Sequence, residues 1–102
     1  MKAIMEVSVI PLGTGSTSLS GFIAEIQKEL ERLPQIKYQL TPMGTIIEGE
    51  LQELFSLLPV LHEIPFKQGC ARVLTLMRID DRRDKPASME GKIRSVEEKL
   101  KP

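Results

Sequence analysis

The residues of this sequence most capable of chemistry are polar side chains inside segments typical of β-strands. Glu48 lies in the run T-P-M-G-T-I-I-E-G-E, from Thr41 to Glu50, where isoleucines and glycines surround a carboxylate. Because an unpaired charge is costly to bury, Glu48 needs a protein group, a ligand or a metal as its partner. The structural alternative is that Glu48 and Glu50 place negative charge at the start of the next helix.

Further polar residues in predicted strands extend this set. Glu6 and Ser8 share one face of the first strand, and Thr45 accompanies Glu48 in the third. Arg72 opens the fourth strand, so the cluster either binds a small polar ligand or satisfies itself through an ion pair of a glutamate with Arg72. Alternate residues of a strand point to opposite faces, so Thr45 and Glu48 line one site only if a bulge or turn intervenes.

The sequence predicts no catalytic residues, no metal site and no cofactor. His62 is the one histidine, and no G-x-S-x-G motif surrounds the serines and threonines before residue 21. Asp80, Asp81 and Asp84 could hold a metal in principle, but the adjacent arginines argue against it. A hydrolase of the acylphosphatase type usually needs an arginine with an asparagine, and this sequence contains no asparagine.

Length and composition limit the possible functions. The chain has 102 residues, which predicts a single domain spanning 1–102. Lysine plus arginine and aspartate plus glutamate both total 14, so no excess positive charge favours nucleic acid as a partner. Cys70 is the one cysteine, which suits a reducing cytosol, and Glu6 follows Met1 too soon for a signal peptide or membrane span. We therefore expect a cytoplasmic protein without a membrane partner.

Periodicity predicts the elements that position these residues. Alternating apolar residues predict strands over 3–10, 36–40, 45–48 and 71–80. Apolar residues at helical spacing predict helices over 19–33, from Leu51 and from about Ser88. Within the second helix, Pro59 predicts a kink or a split, and Pro65 predicts its outer limit.

The order of these elements predicts an α+β fold of the ferredoxin-like βαββαβ type. It has a four-stranded antiparallel sheet with two helices on one face and an extra C-terminal helix. The first, third and fourth strands are then neighbours. The second face of the sheet would expose Leu74 and Leu76, and the last helix carries a narrow apolar seam from Met89 to Leu100. Because such patches mark interfaces, we expect a homo-oligomer.

Several motifs in a fixed order give the chain a family resemblance. They are V-S-V-I-P-L-G from Val7, T-P-M-G-T-I-I-E-G from Thr41, H-E at His62, G-C-A-R-V from Gly69, I-D-D-R-R-D from Ile79 and K-I-R-S-V from Lys92. With these motifs the chain closely resembles the small thiamine-binding protein family over nearly its whole length. The prolines in the second helix depart from the family, in which that helix usually runs without interruption.

The resemblance implies a ferredoxin-like protein that assembles into dimers or tetramers. Some members of the family bind thiamine or its hydroxymethylpyrimidine part, without a known reaction. We therefore expect a noncatalytic protein that binds thiamine or a related aminopyrimidine, with a structural or regulatory homo-oligomer without a small ligand as the alternative. A carboxylate can accept from the exocyclic amine, hydroxyls can bond the ring edge, and aliphatic side chains can stack on it. The expected ligand-binding residues are Ser8, Leu12, Met43, Thr45, Glu48 and Arg72.

Overall fold

The computed structural model describes residues 2–102 and contains four strands and three helices in the predicted order. Their bounds are β1 Lys2–Leu12, α1 Ser20–Glu31, β2 Lys37–Thr41, β3 Gly44–Glu50, α2 Leu51–Lys67, β4 Arg72–Asp80 and α3 Met89–Leu100. The α+β fold class and the order βαββαβα are therefore confirmed. None of the helices within residues 2–102 has the length and apolar character that a membrane crossing requires.

The strands form one antiparallel sheet in the order β2-β3-β1-β4, which confirms that the first, third and fourth strands are neighbours. β1 pairs with β3 from Lys2↔Glu50 to Val7↔Thr45. It pairs with β4 much further, from Ile4↔Asp80 to Leu12↔Arg72. Consequently, within residues 2–102, the stretch of β1 from Ser8 to Leu12 has a strand neighbour on its β4 side alone.

Side-chain alternation along β1 separates the two faces of the sheet, as the sequence predicted. Its buried residues face α1 and α2, while the intervening residues lie on the opposite face. The core between the sheet and these two helices contains Ala3, Met5, Val7, Val9, Ile26, Leu30, Ile36, Ile47, Leu54, Leu57 and Leu61. This single apolar layer fixes the positions of α1 and α2.

The opposite face of the sheet, here called the open face, is covered at one end by α3. Met89 in the first turn of α3 is buried, whereas the rest of its apolar seam is exposed. Leu74 and Leu76 of β4 lie on this face with 48% and 56% of their surface exposed. The exposed apolar patch expected from the sequence is therefore present, while self-association stays a prediction.

The sequence predicted a kink or a split of helix α2 at Pro59 and an outer limit at Pro65, and the split and the limit are wrong. Helix α2 is one helix from Leu51 to Lys67 with both prolines inside it. Pro59 cannot donate to the carbonyl of Phe55, but both residues are exposed, so water can satisfy that carbonyl. Pro65 is fully buried and packs in the core. The buried leucines of α2 hold the helix against the sheet, and this tertiary packing outweighs the local cost of the prolines.

Replacing Pro59 with alanine tests this balance. We expect Pro59→Ala to raise the free energy of unfolding by about 2 kcal/mol, because a helix-interior proline costs about 3 kcal/mol and its rigidity in the unfolded chain returns up to about 1. Pro65→Ala is the matched control and should give no gain, because it removes a buried ring. Urea unfolding measures both variants, and a destabilised Pro59→Ala protein would contradict the account.

Candidate functional site

A cavity of about 300 Å³ lies where β3 begins beside β1, and we call it the hairpin cavity. Its walls come from β1, the first half of α1 and the tip of the β2–β3 hairpin. Three of the six residues expected to bind a ligand, Ser8, Met43 and Thr45, line it together. The remaining wall is apolar and includes Ile23 and Leu40.

Local hydrogen bonds hold the hairpin tip beside β1. The Thr41 hydroxyl donates to the carbonyl of Gly44 at 2.8 Å, and the Ser8 hydroxyl donates to the carbonyl of Met43 at 2.9 Å. A Cβ atom on Gly44 would lie 2.8 Å from Ser8 Oγ and 2.9 Å from the Val7 carbonyl oxygen. A side chain at position 44 would therefore push the hairpin away, and glycine keeps the cavity closed on that side.

The cavity presents hydroxyl groups with unused hydrogen-bonding capacity. Thr45 is 4% exposed, and its Oγ1 accepts from Gln27 Nε2 at 3.0 Å. That bond leaves the Thr45 proton for a second partner. Ser8 uses its proton on the Met43 carbonyl, so its oxygen keeps lone pairs that can accept. The site thus offers one hydroxyl donor and one hydroxyl acceptor.

Backbone groups of β1 also face the hairpin cavity. The Val7 carbonyl lies on the β3 side of β1, close to Gly44. Peptide groups in an antiparallel strand alternate between the two edges, so the N–H and C=O of Val9 point to that same side. Val9 lies beyond the last β1–β3 pair, Val7↔Thr45, and lines the cavity. Its peptide groups therefore form a polar edge of the cavity.

The structure places Glu48 away from the hairpin cavity, on the open face under the N-terminus of α3. Glu48 is 3% exposed and accepts from the backbone N–H of Met89 at 2.8 Å. Ser88 caps the same helix by accepting from the N–H of Gly91 at 3.0 Å. A carboxylate at a helix N-terminus also interacts favourably with the helix dipole. A direct ligand contact of Glu48 stays a prediction.

The alternative ion pair of a glutamate with Arg72 is wrong. Glu48 lies opposite Ile4 and Arg72 lies opposite Leu12, so about 26 Å of β1 separate them. Glu6 pairs instead with Arg78, whose Nη2 is 2.6 Å from Glu6 Oε1. Thr45 and Glu48 occupy opposite faces of β3, as the alternation of side chains requires.

Leu12 and Arg72 line a second cavity of about 580 Å³, which we call the loop cavity. It lies between the loop that follows β1, the first turn of α1 and the connection from α2 to β4. The six expected residues therefore lie in three places: the hairpin cavity, the loop cavity and the open face under the N-terminus of α3.

The charged run after β4 is a set of exposed ion pairs. The guanidinium of Arg83 bonds Asp81 and lowers the pKa of that carboxyl, and Arg82 likewise lowers the pKa of Asp84 to about 2. Asp80 pairs with Lys92 of α3. No group of three or more potential metal ligands occurs within residues 2–102.

Sequence reasoning missed Gln27, Val9 and Met89. Gln27 follows Ile23 by four residues, so its place on the sheet-facing stripe of α1 was a usable signal. Val9 faces the cavity through its backbone, because β3 begins at Gly44 and does not pair with β1 beyond Val7. Met89 is 41 residues from Glu48, a distance that no local pattern spans.

Comparisons with known proteins place this chain among close relatives. The family model described as thiamine-binding protein matches residues 5–97. The UPF0045 protein YqgV of Bacillus subtilis is 52% identical over 103 residues, which cover 98% of this chain and 99% of YqgV.

Solved structures share the fold. The hypothetical protein MJ1052 of Methanocaldococcus jannaschii is 31% identical with a TM-score of 0.84, covering 95% of this chain and 97% of that one. A candidate thiamine biosynthesis/salvage protein of Thermotoga maritima is 21% identical with a TM-score of 0.77, covering 94% and 99% of the two chains. At that identity, the second likeness concerns the fold alone.

The bond between Glu48 and Met89 predicts a specific loss of stability. We expect Glu48→Ala to lower the free energy of unfolding by about 1.5–3 kcal/mol, because it leaves a buried N–H without its charged acceptor. Amide exchange at Met89 should accelerate. Glu48→Gln is the control, since its side-chain oxygen can still accept, and it should lose less. Unchanged unfolding and exchange in Glu48→Ala would contradict this role.

Proposed function

The chain belongs to the thiamine-binding protein family, and we propose that it binds thiamine or a related aminopyrimidine such as hydroxymethylpyrimidine, without catalysing a reaction. The observation that carries this proposal is the hairpin cavity, where Ser8, Met43 and Thr45 meet beside the free edge of β1. Family membership indicates the class of ligand, and the cavity has polar and apolar groups that suit such a ligand.

The size and walls of the hairpin cavity suit one small ring. Its volume of about 300 Å³ is at the lower end of the range for small-molecule sites, so the pyrimidine ring would enter it while the rest of thiamine extends outward. Aliphatic side chains such as Ile23 and Leu40 would contact the ring faces. Met43 is 84% exposed at the cavity rim, and its flexible thioether can pack over a bound ring.

The polar groups of the cavity complement the edge of an aminopyrimidine. Such an edge offers an amine donor beside a ring nitrogen acceptor. The amine can donate to Ser8 Oγ or to the Val9 carbonyl, and the ring nitrogen can accept from the Thr45 hydroxyl or the Val9 N–H. Paired donors and acceptors of this kind reject rings that lack the amine, because the protein groups would then be left unsatisfied.

Binding without reaction agrees with the residues that surround the cavity. Within the described residues, its lining contains no carboxylate, imidazole, amine or thiol. A general acid or base would require such a group near the ligand. We assign direct contacts to Ser8, Met43 and Thr45.

A second proposal concerns self-association into a dimer or tetramer. Leu74 and Leu76 expose apolar surface on the open face, and Leu76 also lines the hairpin cavity. Apolar patches of this kind are usually covered by another protein surface. A second copy packed on the open face would cover the leucines and approach the ligand site.

Removing the Thr45 hydroxyl tests the ligand site. We expect Thr45→Val to weaken hydroxymethylpyrimidine binding by about 2- to 12-fold, the effect of one neutral hydrogen bond. Thr75→Val is the matched control, because the Thr75 hydroxyl bonds His62 of α2 outside the cavity. Isothermal titration calorimetry measures both, with melting curves to verify folding. No heat and no melting shift with thiamine or hydroxymethylpyrimidine in the unaltered protein would refute the proposal.

A charge on the open face tests self-association. We expect the unaltered protein to sediment as a dimer or tetramer at micromolar concentration and Leu74→Lys to shift it toward the monomer. Val60→Lys on α2 is the control, because Val60 is similarly exposed but lies on the other side of the molecule. A stable monomer of the unaltered protein would contradict the second proposal.

A further inference from the structure

The loop cavity has the composition of an anion site, and we infer that it binds a phosphate group carried by the ligand of the hairpin cavity. The inference rests on the proposed function and narrows its ligand class to a phosphate ester, such as thiamine monophosphate. Its volume of about 580 Å³ exceeds that of the hairpin cavity, so it has room for a hydrated phosphate.

The charge around the loop cavity is positive. Within the described residues, its lining contains one charged side chain, that of Arg72, and no carboxylate. Most other arginines of the chain already bond a neighbouring carboxylate: Arg32, Arg78, Arg82 and Arg83. Arg72 has no ion pair within residues 2–102, so its guanidinium is available to an external anion. A guanidinium can donate two parallel hydrogen bonds to a phosphate.

Neutral groups beside Arg72 would complete the binding of an anion. The side-chain amide of Gln68 lines the same cavity and can donate to a phosphate oxygen. Thr14 also lines the cavity, but its hydroxyl already donates to the Ser16 carbonyl at 2.9 Å. Recognition would therefore depend mainly on Arg72, with Gln68 as the second donor.

The sheet places Arg72 within reach of a ligand bound in the hairpin cavity. Ile10 lines the hairpin cavity, Leu12 lines the loop cavity, and both lie on the same face of β1. Two residues of a strand span about 6.6 Å. Leu12 is the register partner of Arg72. A ring in the hairpin cavity can thus extend an arm along β1, and the alcohol arm of thiamine is where a phosphate ester is carried.

The experiment compares thiamine with thiamine monophosphate by calorimetric titration. In the unaltered protein, we expect the monophosphate to bind at least about tenfold more tightly, as charge-assisted hydrogen bonds predict, with a preference that falls as salt is raised. Arg72→Gln should bring the ratio of the two dissociation constants close to one. Arg94→Gln removes another exposed arginine without an ion pair in residues 2–102, and it should keep the full ratio.

The outcomes separate this inference from the proposed function. Equal binding of the two ligands to the unaltered protein, or a preference retained in Arg72→Gln, overturns the phosphate site while leaving thiamine binding in place. Absence of thiamine binding together with binding of inorganic phosphate that depends on Arg72 overturns the proposed function and the ester linkage, and shows a free-phosphate site instead. Binding of neither thiamine, its monophosphate nor inorganic phosphate overturns both.

Discussion

The unequal pairing of β1 is the constraint on which the rest of the site depends. β4 follows β1 to Leu12, whereas β3 leaves it after Val7 because the hairpin turns at Pro42 and Met43. If β3 were longer, its backbone would cover Val9 and fill the hairpin cavity. The early turn leaves a strand edge that is polar along its backbone and apolar along its side chains. Gly44 permits this turn to lie close to β1, and the Ser8 hydroxyl fixes it there.

The two faces of the sheet pack against different helices. One face packs α1 and α2 over a continuous apolar core, which fixes Gln27 against Thr45. The open face carries α3, whose first turn is bonded to the buried Glu48. Beyond that turn, the apolar side chains of α3 are exposed, and so are Leu74 and Leu76 of β4. The hairpin cavity, which we propose as the ligand site, lies at the edge where the two faces meet.

Much of the fold was predictable because local patterns agree with it. Alternation in β1 and helical spacing in α1 each indicate one element and one buried face. The order of all the strands and helices along the chain then allows few topologies. The continuity of α2 was not predictable, because local rules assign a penalty to Pro59 that packing of the neighbouring leucines offsets. Of the six residues expected at one site, Ser8, Met43 and Thr45 line one cavity and the other three lie elsewhere, while their contact with a ligand stays a prediction. The partner of Glu48 was not predictable, because its carboxylate bonds the N–H of Met89, which is 41 residues away in the sequence.

An NMR titration of the amide resonances with hydroxymethylpyrimidine tests most directly whether the hairpin cavity holds the ligand. We expect the largest shifts at Val9, Gly44 and Thr45, around the start of β3. Amides at the start of α3, including Met89 and Gly91, should move little. Shifts concentrated around Met89 would instead place the ligand at Glu48 and contradict the assignment of the hairpin cavity, and an absence of any shift would contradict binding.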